Sequence, residues 1–340
     1  MASRSESKVN SKVTSRVESR GGSFWRGKRV LVTGAGGFVG SNLVPLLKET
    51  GCELLCPLRG DYDLLEPEHV RRLFSDTRPQ IVFHLAGLVG GILVNKERPA
   101  DFLYQNLLMG TTVLHEAWRA GAQKYITLMG GCSYPAQAPS PIKETELWKG
   151  YPQIESAPYS LAKAMSSVQA EAYRRQYGFN AIVLVPGNLY GPHDNFDLRN
   201  SHVIPALVRK VYEAKINGAD EIVMWGTGRP VRDFIYVKDA CLAILLAAEN
   251  YNDHDLINIS SGVPVTIRDL VETVVALCGF KGQIRWDASK PDGQMFKGFD
   301  VSRMREWLGY EPPTSLQEGL RQTITWFEAN YATACPEVKA

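Results

Sequence analysis

From Arg29 onward the chain alternates short β-branched runs with segments of helical periodicity. This alternation predicts βαβ units and therefore a parallel sheet with helices on both faces, the doubly wound α/β class. The apolar runs are nearly continuous, as expected for strands that are buried on both faces. The predicted strands are 29–34, 53–59, 80–87, 124–130 and 181–187, and the predicted helices between them are 41–50, 67–76, 103–121 and 158–177.

The alternation ends after Gly191, in a turn-rich loop that is followed by one helical run and one short strand. A later apolar stretch looks like a return to the sheet, and the remainder reads as a smaller α/β unit. We expect substrate to bind in the cleft between the two units. The predicted boundaries are 25–190 with 232–262 returning to it for the first domain, 191–231 and 263–331 for the second, and 1–24 and 332–340 for flexible tails.

Charge balance, cysteine spacing and the N-terminal composition indicate the class of protein. The 38 Lys and Arg residues nearly balance the 36 Asp and Glu residues, which argues against a nucleic-acid or membrane surface. The six cysteines show no CxxC pair and no histidine at metal-ligand spacing, so we expect reduced thiols, no metal and a cytoplasmic protein. The first 24 residues are rich in Ser, Arg and Lys, which suits a solvated tail; a transit peptide is the alternative, although Glu6 and Glu18 argue against it.

The first predicted strand runs into a glycine-rich turn that opens a helix. Glycine permits a tight turn and a close approach of the backbone to a pyrophosphate, whose charge the helix N-terminus then meets. Because a strand precedes the turn and a helix follows it, the turn predicts a dinucleotide site on a Rossmann fold. The predicted contacts here are Gly34, Gly36, Gly37, Phe38, Val39 and Gly40.

Arg59 ends the second predicted strand, where NAD-binding proteins often carry an acidic residue for the ribose 2′-hydroxyl. An arginine favours the 2′-phosphate of NADP(H). Asp61 or Asp63 could still serve NAD, so both cofactors remain open.

Tyr159 and Lys163 lie four residues apart in a predicted helix, which brings both side chains to one face. A nearby ammonium favours the phenolate, so Lys163 is predicted to lower the pKa of Tyr159. The tyrosine could then exchange a proton with a carbonyl or an alcohol near neutral pH.

These features resemble the extended short-chain dehydrogenase/reductase superfamily from about Arg29 to Tyr331, and more specifically the GDP-L-fucose synthase family. Several matching segments are loops that core packing does not dictate. They are 89–92, 99–102 with 104–106, 188–196, 200–206, 225–228 and 290–293.

The resemblance implies that GDP-4-keto-6-deoxymannose is epimerised at C3 and C5 and then reduced at C4 by NADPH. It implies Cys132 and His202 as the epimerisation pair, and a homodimer. The other residues implied to bind the cofactor are Leu85, Ala86, Gly87, Asn106, Tyr159, Lys163, Pro186, Asn188, Leu189 and His202. Those implied to bind the substrate are Asn188, Lys210, Trp225, Arg232 and Lys297.

The chain departs from the family at Gly130, where the family places a serine or threonine whose hydroxyl bonds the substrate carbonyl. Strand alternation puts Ser133 on the wrong face to replace it. Losing one donor to a developing oxyanion costs about 2.7–4 kcal/mol. Either water or the Gly131 amide fills the gap, or C4 reduction is weakened and epimerisation remains. A catalytically silent nucleotide-binding protein is a further alternative, against which the intact reactive residues argue.

Overall fold

The computed structural model describes residues 22–335. Six parallel strands form the main sheet, in the order β2-β1-β3-β4-β5-β9. Their bounds are β1 Arg29–Thr33, β2 Glu53–Leu55, β3 Ile81–His84, β4 Lys124–Leu128, β5 Ala181–Pro186 and β9 Ile257–Ile259. The predicted doubly wound α/β fold is confirmed.

Helices cover both faces of this sheet, because successive strand residues point to opposite sides. Val30 and Val32 pack on one face of the sheet, against the helices 38–49 and 237–250. Leu31 packs on the other face. The helices are α1 Gly22–Trp25, α2 Phe38–Glu49, α3 Pro67–Thr77, α4 Ile92–Glu97, α5 Pro99–Arg119, α6 Ala157–Tyr177, α7 Val203–Ile216, α8 Val237–Asn250, α9 Ile267–Cys278, α10 Ser302–Leu308 and α11 Leu316–Ala334. No helix between residues 22 and 335 is long and apolar enough to cross a bilayer.

The strand order reverses between β1 and β3: the chain passes from β1 outward to β2 and then returns to the other side of β1 as β3. The loops that leave the carboxyl ends of β1 and β3 therefore diverge and leave a crevice between them. Ligands of open α/β sheets bind at such a switch point.

Two smaller sheets lie beyond the main one. β8 pairs with β6 and β12 in parallel and with β10 in antiparallel, and β7 pairs with β11 in parallel. Their bounds are β6 Asn188–Tyr190, β7 Glu221–Trp225, β8 Val231–Tyr236, β10 Pro264–Thr266, β11 Gln283–Asp287 and β12 Phe296–Lys297.

The segment 232–262 thus differs from the prediction in one part. Its helix α8 packs on α2 and its strand β9 joins the main sheet, but β8 belongs to a small sheet. An apolar strand pattern shows that a strand is buried and does not show which sheet it pairs with, which explains the difference.

The predicted tails overlap ordered structure at both ends. Trp25 is fully buried and its indole donates to Glu249, which anchors α1 within the predicted tail 1–24. At the other end α11 continues to Ala334, and Cys335 is fully buried. Residues 1–21 and 336–340 of the predicted tails lie outside the described residues.

Candidate active site

Backbone contacts in the glycine-rich turn after β1 leave no room for a side chain at Gly34 or at Gly40. Gly34 has φ +73°, and a Cβ there would lie 2.6 Å from the amide nitrogen of Ala86. A Cβ on Gly40 would lie 2.2 Å from the carbonyl oxygen of Gly34. At Gly36, by contrast, a Cβ would meet nothing within 4 Å, so that side is open. The amides at the start of α2 therefore face an open cradle that fits a pyrophosphate.

Asn106 shapes the loop that follows β3. It is buried; its side-chain oxygen accepts a hydrogen bond from the Leu88 amide (3.1 Å), and its side-chain nitrogen donates to the carbonyls of Leu88 (3.0 Å) and Phe102 (2.8 Å). A Cβ on Gly87 would lie 3.0 Å from Asn106 Oδ1 and 4.0 Å from Lys163 Nζ. Asn106 thus ties the loop at Leu88, directly after Gly87, to α5, and its own polar atoms are used in doing so.

Arg59 lies beyond β2 with its side chain 80% exposed and 3.7 Å from the Asp63 carboxylate. An exposed ion pair of this kind contributes little to stability, so the guanidinium is available to a ligand. The Asp63 carboxylate already accepts a hydrogen bond from the Leu65 amide at 3.0 Å. The exposed Arg59 guanidinium can meet a phosphate, and Asp63 keeps acceptor sites for a hydroxyl.

Two reactive side chains approach one point above Gly130, the position that a Cβ on this residue would occupy. A Cβ on Gly130 would lie 3.1 Å from Cys132 Sγ and 3.6 Å from the hydroxyl oxygen of Tyr159. Cys132 is carried by a 3₁₀ turn at Gly131–Ser133, directly after β4, and Tyr159 lies in the first turn of α6. A carbon-bound proton and a carbonyl oxygen of one small substrate can therefore be reached from the same space.

The predicted effect of Lys163 on Tyr159 is wrong. Burial raises the pKa of Tyr159, and the neighbouring Cys132 raises it further. Burial also lowers the pKa of Lys163 to about 8, an effect that Cys132 partly offsets. Desolvation penalises both charged forms, and sequence spacing carries no information on it. Tyr159 is therefore protonated at neutral pH, which suits a group that gives a proton to a carbonyl oxygen during reduction.

The Phe299 ring packs against the turn that carries Cys132. A Cβ on Gly131 would lie 2.5 Å from the ring of Phe299, so the ring takes the space of any side chain at this position. The Ser133 hydroxyl is buried and donates to the carbonyl of Ser160 at 2.9 Å. Ser133 cannot replace the missing hydroxyl, as predicted, but the reason is this turn and this hydrogen bond, since β4 ends at Leu128.

His202 occupies the N-cap position of α7 and has an exposed side chain. The Gly91 amide donates to the carbonyl of Asn200 at 2.9 Å, which joins the loop of His202 to the loop after β3. The Phe102 ring lies beneath that second loop and packs edge-on against Tyr159, with ring centres 6.0 Å apart.

Three of the predicted ligand residues belong to the small sheet around β8. Lys297 on β12 lies opposite Arg232 on β8, and the Asn188 amide donates to the carbonyl of Asp233 at 2.7 Å. Lys297 and Cys132 line the same cleft of about 340 Å³. The rest of its lining is Tyr134, Ala136, Gln137, Ala138, Gln153 and Gln294.

Lys210 and Trp225 lie apart from that cleft, beside β7. The Lys210 ammonium donates to the carbonyl of Val223, and Trp225 is 70% exposed at the end of the strand. Pro186 and Leu189 sit at the end of β5 and in the middle of β6. Among residues 22–335 no cluster of His, Cys, Asp and Glu side chains could hold a metal ion.

The sequence did not identify two residues that order the site, Asp292 and Phe299. Asp292 accepts hydrogen bonds from the amide (2.6 Å) and the hydroxyl (2.7 Å) of Thr227, which orders the turn beside Trp225. The signal for it was present, because Asp292 belongs to the matching segment 290–293. Phe299 had no such signal, since its contact with Gly131 joins residues far apart in the chain.

Comparisons with known proteins agree with this geometry. Residues 30–260 match the NAD dependent epimerase/dehydratase family. The chain is 42% identical over 303 residues to GDP-L-fucose synthase 1 of Arabidopsis thaliana, covering 89% of this chain and 94% of the relative. A GDP-L-fucose synthetase from Naegleria fowleri, solved with NADP bound, superposes with a TM-score of 0.83 at 28% identity, covering 91% of this chain and 96% of that one. A GDP-6-OMe-4-keto-L-xylo-heptose reductase from C. jejuni superposes with a TM-score of 0.84 at 27% identity, covering 89% and 98%.

Proposed function

The chain belongs to the NAD dependent epimerase/dehydratase family, and from that premise we propose that it epimerises and then reduces a GDP-activated 4-keto-6-deoxy sugar. It is an enzyme that acts on a GDP-sugar, as its relatives' names state for them. The sugar we propose is GDP-4-keto-6-deoxymannose, and the product is GDP-L-fucose.

One observation carries the proposal: Cys132 Sγ and the Tyr159 hydroxyl both lie within 4 Å of a single point above Gly130. A 4-keto sugar needs two kinds of proton transfer in one place. The C4 carbonyl acidifies the adjacent C–H bonds, so inversion at C3 and C5 requires a base and an acid at carbon. Reduction requires an acid at the carbonyl oxygen.

In the proposed reaction, different residues carry out epimerisation and reduction. Cys132 and His202 exchange protons at C3 and C5 from opposite sides of the sugar. Tyr159 then gives its proton to the C4 oxygen, and Lys163 supports it from the next turn of α6. NADPH, when bound in the cradle after β1, supplies the hydride for C4.

The cofactor we propose is NADPH, with Arg59 on its 2′-phosphate. Exposure of the guanidinium supports this choice. The NADP-bound neighbour supports it as well.

Arg59→Ala should reduce the preference for NADPH over NADH by about tenfold, since one charge-assisted contact contributes about 1.5–3 kcal/mol when buried and less when exposed. Calorimetric titration of both cofactors measures the ratio. Arg71→Ala is the control, because Arg71 pairs with Glu68 on α3 and should leave the ratio unchanged. An unchanged ratio in Arg59→Ala would remove Arg59 from the cofactor site.

A second candidate function is epimerisation without efficient C4 reduction. It is favoured by one specific feature: Gly130 supplies no hydroxyl, and the Ser133 hydroxyl is already bonded to Ser160. Water or the Gly131 amide are the other possible donors to the C4 oxygen.

Gly130→Ser should raise NADPH oxidation with the 4-keto sugar at least about tenfold, which corresponds to about 1.4 kcal/mol in the barrier. Gly130 has φ −82° and ψ 144°, which any residue adopts without strain. The new Cβ would need Cys132 Sγ to move by a few tenths of an ångström from 3.1 Å. Deuterium exchange at C3 and C5 should change much less.

Gly130→Ala separates the hydroxyl from its bulk, because it adds the Cβ alone. A gain in serine but not in alanine supports the missing-donor explanation. Brisk reduction by the wild type with no gain in serine would show that another donor already bonds the C4 oxygen, and would remove the second candidate.

The overall test is incubation of the pure protein with GDP-4-keto-6-deoxymannose in D₂O, with and without NADPH, and resolution of the products by NMR. No deuterium uptake and no reduction would overturn the proposed function. The homodimer, the cytoplasmic location and the two-domain boundaries stay predictions; light scattering, cell fractionation and limited proteolysis test them in turn.

A further inference from the structure

Asn95 is a buried polar residue on the short helix α4, and its side chain is 5% exposed. Its amide nitrogen donates to the carbonyls of Gly90 (2.9 Å) and Gly91 (3.0 Å). Both partners are carbonyl oxygens, which only accept hydrogen bonds, so Asn95 acts here as a donor. Within residues 22–335 the side-chain oxygen of Asn95 has no hydrogen-bond partner. Among the described residues, this side chain therefore bonds the Gly90–Gly91 turn alone.

The Gly90–Gly91 turn is joined to the loop that carries His202. The Gly91 amide donates to the carbonyl of Asn200 at 2.9 Å, two residues before His202. The two backbones also lie close together: a Cβ on Gly91 would lie 3.2 Å from the Ser201 carbonyl oxygen and 3.4 Å from that of Asn200. Glycine permits this approach because it has no Cβ. The position of Gly91 therefore sets the position of the residues that lead into His202.

Helix α4 is itself anchored to a second element of the site. It packs against the 3₁₀ turn Ile154–Ser156, and the Lys96 ammonium lies 3.7 Å from the Glu155 carboxylate. This turn directly precedes α6, which carries Tyr159 in its first turn. A change in the side chain of Asn95 should therefore loosen the Gly90–Gly91 turn while the helix keeps its packing against the start of α6.

We propose that Asn95 is a positioning residue for His202, which acts through the Gly90–Gly91 turn and the hydrogen bond from Gly91 to Asn200. Proton transfer at carbon needs the acid or base within reach of the proton. Displacing such a group by about 1 Å can cost about 10²-fold in rate. The effect on His202 chemistry rests on the proposed function, whereas the path of hydrogen bonds from Asn95 to Asn200 does not.

Asn95→Asp keeps the size of the side chain and replaces the donating nitrogen with an oxygen that repels both carbonyls. Deuterium uptake at C3 and C5 of the 4-keto sugar is measured by NMR in D₂O with NADP⁺ present. Its kcat should fall by about 10–10²-fold, with KM within a few-fold of the wild type. Asn250→Asp is the matched control, because the exposed Asn250 side chain donates in the same way to the carbonyl of Leu246 on α8. It should exchange at the wild-type rate.

A double-mutant cycle with His202→Gln tests whether Asn95 acts through the histidine. Asn95→Asp should cause little further loss once His202 is replaced, because residues that act as a unit are not additive. Full additivity of the two losses would overturn the proposal. The rate of Cys132 alkylation by iodoacetamide should be the same in Asn95→Asp and the wild type. A marked change in that rate would also overturn it, by showing a general disturbance of the cleft.

Gly91→Ala tests the same contact from its other side and leaves Asn95 intact. Gly91 has φ −63° and ψ 173°, which alanine adopts without strain. The expected change therefore comes from the new Cβ, 3.2 Å from the Ser201 carbonyl oxygen, which moves the two loops apart by a few tenths of an ångström. Uptake should fall a few-fold while NADPH binding, measured by calorimetry, stays unchanged. Uptake at the wild-type rate in either variant would overturn the proposal.

The hydrogen bond of the Gly91 amide is measured without substrate. Amide hydrogen exchange of the Gly91 peptide, followed by mass spectrometry, should be faster in Asn95→Asp than in the wild type and unchanged in Asn250→Asp. If the protein fails to turn over GDP-4-keto-6-deoxymannose but this exchange rises as expected, the proposed function is wrong and the path from Asn95 to Asn200 stands. If the wild type and Asn95→Asp turn over the sugar equally well, the proposed function stands and the positioning role is wrong.

Discussion

Cys132→Ser is expected to slow deuterium uptake at C3 and C5 by about 10²–10⁴-fold, the range that a positioned acid or base contributes. Serine has nearly the same size as cysteine, but its hydroxyl is a far weaker acid and does not supply an anion near neutral pH. Uptake is measured by NMR in D₂O with NADP⁺ in place of NADPH, which prevents reduction and isolates the exchange steps.

Cys56→Ser is the matched control, because Cys56 is an exposed thiol beyond β2, outside the cleft that Cys132 lines. It should exchange at the wild-type rate. Equal uptake in Cys132→Ser and the wild type would mean that Cys132 only packs in the turn after β4, and the epimerisation role would have to move to another residue.

Tyr159→Phe is expected to lower C4 reduction by about 10²–10⁴-fold while NADPH binding stays within a few-fold of the wild type. The phenylalanine ring keeps the edge-on contact with Phe102 and removes the proton that the C4 oxygen must receive. Single-turnover oxidation of NADPH by the 4-keto sugar measures the loss, and calorimetry measures the binding.

Tyr177→Phe is the control on the same helix, since Tyr177 ends α6 with 44% of its surface exposed. It should reduce the sugar at the wild-type rate. If Tyr159→Phe instead lost exchange and reduction to the same extent, Tyr159 would be needed to hold the sugar, and its role as the acid for C4 would not stand.

Taken together, the two substitutions separate the two half-reactions. The structure brings Cys132 Sγ and the Tyr159 hydroxyl to one point, and we propose that they act on different atoms of the sugar. Cys132→Ser should block exchange and, with it, formation of the epimerised product. Tyr159→Phe should let the epimerised 4-keto sugar accumulate, which NMR detects directly.

Features that depend on neighbouring residues were predictable from the sequence. The five strands up to Pro186 were placed to within a few residues at each end, because buried parallel strands are short apolar runs between amphipathic helices. The turn at Gly34–Gly40 is predictable from its glycine spacing between a strand and a helix, and the structure shows that Gly34 and Gly40 have no room for a side chain. Helical spacing alone places Tyr159 and Lys163 one turn apart on α6.

Features that depend on distant residues were decided only by the tertiary structure. The sign of the pKa change at Tyr159 is set by burial among side chains from several elements, and helical spacing cannot report burial. The sequence does not predict that β8 pairs with β6, β10 and β12, because an apolar strand can pair with the free edge of any sheet.

The turn of Cys132 shows the same division most clearly. The sequence by itself determined that a thiol, a tyrosine and a glycine without a hydroxyl follow the nucleotide-binding strands. Only the folded chain placed Phe299 under Gly131 and Lys297 in the cleft beside Cys132. The physical reason is that these contacts join residues more than 160 positions apart, and their energies come from packing and desolvation, which exist only once the sheet and its loops have formed.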